Sequence, residues 1–108
     1  MKHFNVYDIE SKVNIRGFET KQIVHHDHAT IKLIILKPND QIPNHQVPVE
    51  VTFFIVKGTG TITIGDESFK VLENDAVLCP ANTVMSVKAD SNGLEFLNMK
   101  TPGFIVKK

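Results

Sequence analysis

The sequence has one cysteine, one tyrosine and no tryptophan among 108 residues, and no excess of either charge. Cys79 alone cannot close an internal disulfide, so no covalent staple is expected and a reducing compartment fits. Twelve lysines and arginines balance twelve aspartates and glutamates. A chain without a global field does not attract nucleic acid or an anionic membrane, and neither is expected as a partner. Also missing is any apolar run long enough for a signal-peptide core or a membrane span. The expectation is a cytoplasmic protein. No segment keeps a helical period, and the length allows one core, so residues 1–108 are read as a single domain.

What the sequence does contain is a succession of short β-branched and aromatic runs, broken by Gly, Pro, Asn and Asp at intervals of about ten residues. Strands are expected at 4–9, 20–25, 30–37, 49–56, 61–64, 69–72, 76–79, 84–88 and 94–99. Alternation is clearest in Thr61-Ile62-Thr63-Ile64, where the isoleucines face inward and Gly65-Asp66-Glu67-Ser68 supplies a hairpin turn. Residues 31–36 and 51–56 are apolar on both faces, so something must cover the second face. A second copy of the chain is the expected cover, with segment 1–29 a candidate for the dimer interface. N- and C-terminal strands folding back on the same chain are the alternative cover.

Two stretches carry most of the functional information. Residues 38–58 run from Pro38-Asn39-Asp40 through His45-Gln46-Val47-Pro48-Val49-Glu50-Val51 to Lys57-Gly58. This resembles the first motif of the cupin family, a glycine, a His-x-His pair, a glutamate and a closing glycine at fixed spacing. Counting back from Gly58 puts the two histidines on His45 and Val47, the glutamate on Val51 and the leading glycine on Asn39. Residues 74–85, Asn74-Asp75-Ala76-Val77-Leu78-Cys79-Pro80-Ala81-Asn82-Thr83-Val84-Met85, resemble the second motif, with Pro80 matching, Asn74 and Asn82 at its glycines and Met85 at its histidine. The resemblance implies an all-β fold, a double-stranded β-helix or jelly-roll barrel.

Asparagine is the residue that best replaces glycine where φ is positive, so Asn39, Asn74 and Asn82 would preserve the turns. The replacements at the ligand positions act differently. Val47 and Val51 have no lone pair to donate, and the Met85 thioether is a poor ligand for the hard or borderline ions that imidazoles and a carboxylate select. The frame is thus read as a barrel with a dismantled metal site, and no cofactor is expected. A divalent transition metal would require His45 together with His26, His28 or Glu50. Side chains alternate along a strand, so Glu50 should face away from Val51 unless a bulge at Pro48 shifts the register. His26 and His28, two apart, are otherwise polar residues of a solvated turn.

Three functions follow as alternatives. A small apolar or mixed organic ligand could occupy a pocket formed by His45, Val47, Val51, Phe53 and Met85, with His45 orienting it. A cupin enzyme, of the dioxygenase, isomerase or decarboxylase kind, would need an unusual metal site around His45. Alternatively the two-sided apolar strands would make the domain chiefly a homodimerisation module. Cys79, in an apolar run without an adjacent base, reads as a small buried hydrophobe rather than a nucleophile.

Overall fold

A computed structural model describes residues 2–102. A 3-10 turn, Val6–Asp8, leads into eight strands: β1 Lys12–Val13, β2 Glu19–His26, β3 Ala29–Leu36, β4 Gln41–His45, β5 Glu50–Ile64, β6 Glu67–Val71, β7 Ala76–Cys79 and β8 Met85–Thr101. All pairings are antiparallel.

β5 and β8 organise the molecule, pairing from Glu50↔Thr101 to Ile64↔Met85. At one end of this ribbon β8 is flanked by β3, which leads to β2 and β1, while β5 is flanked by β7. At its other end the neighbours are β4 and β6. The ribbon therefore belongs to two layers, β1-β2-β3-β8-β5-β7 and β4-β8-β5-β6, folded over one another as a jelly-roll barrel. The runs expected at 49–56 and 61–64 are one strand, as are 84–88 and 94–99. Their glycines mark a bend rather than an end: the register shifts between Ile55 and Lys57 and again between Gly58 and Gly60. Gly58 has φ 88°, and a Cβ there would collide with the carbonyl oxygen of Gly93 on β8.

Inward residues of the two layers fill the barrel. Val51, Phe53, Ile55, Leu94 and Phe96 from one layer meet Ile62, Met85 and Val87 from the other, each 2% exposed or less. The Phe53 and Phe96 rings pack at a centroid distance of 5.5 Å.

The turns follow the asparagine reading. Asn39, Asn74 and Asn82 have φ of 65°, 76° and 61°, and among the described residues they are the non-glycine positions with positive φ. In Lys37–Asp40 and Leu72–Asp75 the asparagine sits third, where a type II turn needs positive φ. Each turn closes by a backbone bond of 3.0 Å from the aspartate N–H. Each aspartate carboxylate also accepts from the backbone N–H of the first turn residue. At the β5–β6 hairpin the Gly65-Asp66 loop, with φ 60° at Gly65 and Ile64 paired to Glu67, matches a type II′ turn.

The strand expected at 4–9 is not formed. The Asn5 side chain accepts from the Tyr7 N–H at 2.8 Å and the Asp8 N–H donates to the Asn5 carbonyl at 2.9 Å, winding Val6–Asp8 into the 3-10 turn. This segment lies on the outer face of the first layer: Lys21 donates to the Ile9 carbonyl, and the Tyr7 hydroxyl donates to Glu95 at 2.7 Å. Leu33, on that outer face by alternation, is fully buried. The chain's own N-terminal segment thus covers part of the second apolar face. β4, absent from the expected strands, contains Pro43, whose missing N–H is tolerated because β4 is an edge pairing only β8.

Candidate functional site

The site is a corner where chain crossings meet. β4 ends at His45 and crosses through 46–49 to the start of β5, while β7 ends at Cys79 and crosses through 80–84 to the start of β8. His45 pairs with Met85, Val51 pairs with Cys79, and the Asn82 N–H donates to the Val47 carbonyl at 2.8 Å, joining the two crossings. Val47 packs against the cluster that contains Val51, Phe53 and Met85. Those three are 1%, 1% and 2% exposed, so they form a solid floor, and the half-buried His45 and Val47 stand at its rim.

His45 Nδ1 lies 2.9 Å from the Pro43 carbonyl oxygen. A carbonyl only accepts, so Nδ1 carries the proton and, in the neutral ring, Nε2 is left as an acceptor. His26 ends β2, His28 lies in the β2–β3 turn, and both are exposed. The His28 backbone N–H donates to His26 Nδ1 at 3.1 Å, and the two rings meet edge-on at 5.9 Å. Glu50 is exposed at the first position of β5, next to the inward Val51. Among the described residues no three His, Cys, Asp or Glu side chains are gathered where they could hold a metal ion. Cys79 is 2% exposed, and burial raises its thiol pKa, which suits packing rather than nucleophilic attack.

The structure adds polar residues to the interior that the motif spacing does not indicate. Lys100 pairs across with Val51 and with Thr30, and Asn98 pairs with Phe53 and Lys32. Directly opposed residues of an antiparallel pair share a face, and Val51 and Phe53 face the core. Thr30, Lys32, Asn98 and Lys100 therefore line the inner surface beside the corner, with Thr30 4% and Asn98 7% exposed. Lys100 Nζ donates to Asn98 Oδ1 at 3.0 Å. Burial, then the charge of Lys32, pushes the Lys100 ammonium down to about 8. A bulge between Gln22 and Val24 brings His25 opposite Thr30, and its Nδ1 lies 3.2 Å from the Thr30 hydroxyl. The sequence signal was available: Leu94, Phe96, Asn98 and Lys100 keep a period of two, turning from apolar to polar on the inward face.

One of the hollows touches the site. A notch of about 130 Å³ beside Val51 is lined by Glu50, Thr52, Leu78, Cys79 and Pro80. A wider hollow of about 440 Å³, with Arg16, Phe18, Ile35 and Lys37 in its wall, lies toward the strand bend, since Ile35 pairs with Glu95 rather than with Lys100.

Comparison with known proteins agrees with this architecture. Residues 32–98 match the profile of the cupin domain. The chain belongs to the cupin family. An uncharacterised protein of Methanocaldococcus jannaschii is 30% identical over 99 residues, spanning 90% of this cupin and 84% of that protein. KdgF from Halomonas sp. superposes with a TM-score of 0.87 at 14% identity, covering 96% of both chains. An RmlC-like cupin from Shewanella frigidimarina does so with a TM-score of 0.84 at 12% identity, covering 95% of this chain and 93% of that one. At these identities the structural likeness is one of fold. Among the described residues no helix is long and apolar enough to cross a membrane.

Proposed function

We propose that this cupin is a metal-free binding domain for a small organic molecule held at the corner bounded by His45 and Val47 over the floor of Val51, Phe53 and Met85. What supports the reading is the apolar character of Val47, Val51 and Met85, which stand where the motif resemblance sets metal ligands in an otherwise intact frame. An apolar floor with one oriented acceptor, His45 Nε2, suits a ligand with an apolar body and a polar tip. The three floor residues are packed as core, so such a ligand would sit above them, at the rim. Native mass spectrometry of tag-free protein tests the reading. A retained organic mass at one equivalent, displaced on substituting Val47→Asp, supports it; purification with about one equivalent of a transition metal and no organic mass contradicts it.

A second reading concerns assembly. Ile31, Phe54, Leu97 and Met99 share the outer face of the first layer by register, and Leu78 on the same face is 73% exposed. A second copy covering this face would make the cupin a homodimer, continuing the cover that the N-terminal segment begins.

A further inference from the structure

The inner surface carries two lysines that the binding reading does not use. We infer that Lys100 and Lys32, with Asn98 and Thr30, form an oxyanion site beside the apolar floor, so that the ligand is a small organic acid whose carboxylate or phosphate head meets these residues. The inference rests on the proposed ligand reading and adds the charge of its ligand.

The geometry is that of an incomplete ion pair. Lys100 and Val51 are cross-strand neighbours, with Cβ atoms about 5 Å apart, so Lys100 stands opposite the position where the motif spacing sets the family's glutamate. Its one hydrogen bond among the described residues goes to the Asn98 oxygen, which leaves further ammonium protons and the Asn98 amide protons as donors. The influences on its charge are burial and the like charge of Lys32, with no carboxylate among them. Burying an ammonium beside a second one is unfavourable without a counter-charge. A ligand oxyanion supplies that charge, and charge-assisted bonds to it are stronger than neutral ones. The Thr30 hydroxyl, 3.2 Å from His25 Nδ1, adds a polar group on the neighbouring strand. The floor of Val51, Phe53 and Met85 beside these residues is apolar, which separates a head position from a body position.

Calorimetric titration of the purified protein at pH 7 and low salt, using hexanoate, hexanol and inorganic phosphate as probes, tests this. The expected result is one equivalent of hexanoate bound, weakened about tenfold or more in Lys100→Met and less in Lys100→Arg, with weaker binding of hexanol that neither substitution changes. Lys32→Met should weaken hexanoate as well, and circular dichroism confirms that each variant is folded. Hexanoate and hexanol binding alike in all variants would overturn the oxyanion site while leaving the apolar ligand reading standing. Phosphate binding that Lys100→Met abolishes, without binding of either six-carbon probe, would support the oxyanion site and overturn the apolar one. No binding by any probe overturns both.

Discussion

At the scale of single residues, the turn asparagines and the interior lysine make opposite demands on stability. Asn82 holds φ 61° and its N–H fastens one crossing to the other. Asn82→Gly, which keeps that φ available, should be nearly neutral, whereas Asn82→Val should lose about 1–2 kcal/mol in urea unfolding. Equal losses would mean that the conformation of this turn does not matter. Lys100 is expected to oppose folding. Its folded pKa of about 8 lies below the ordinary 10.5, so the folded state disfavours its charge, and the penalty is complete below the folded value. As pH rises from 8 to 10.5 the folded state releases its proton first and the penalty fades. Lys100→Met should therefore be more stable than the parent by about 1–3 kcal/mol at pH 7, with the gain shrinking toward zero by pH 10.5. Comparing the two proteins cancels the opposite trend of Cys79, whose raised thiol pKa removes stability as pH climbs. A difference independent of pH would show that Lys100 is solvated.

At the scale of elements, the long strands decide the architecture, and they are where sequence and structure part. Gly58 and Gly60 read as a strand end because glycine usually interrupts pairing. Here they let β5 turn from one layer into the other against β8, where a Cβ on Gly58 meets backbone. Gly58→Ala should therefore cost about 3 kcal/mol or more, against about 1 for Gly17→Ala, where φ is also positive but no atom lies within 4 Å. Similar losses at both would contradict a packed crossing. The frame was legible because the motif spacing placed three turns correctly through their asparagines. Residues 4–9 were misread because apolar side chains lying on a sheet resemble those within one. β4 was hidden by Pro43, acceptable only on an edge. The placement of His45 beside Met85 followed from spacing, whereas Lys100 and Asn98 did not stand out because the inward phase of β8 depends on its pairing with β5.

At the scale of the whole molecule, the described residues show one outer face of the barrel partly closed by the N-terminal segment and partly apolar, with Leu78 73% exposed. Sedimentation at micromolar concentration should give a dimer, with Leu78→Lys shifting it toward monomer; a monomeric parent protein would contradict the homodimer reading. The proposed function requires that the cupin frame persist with apolar side chains where the motif resemblance sets metal donors. Metal titration of the parent protein beside a variant combining Val47→His, Val51→Glu and Met85→His tests it most directly. The parent should bind no manganese or nickel, and the variant, which restores three donors beside His45, should bind one equivalent. Stoichiometric metal on the parent, or none on the folded variant, would contradict it.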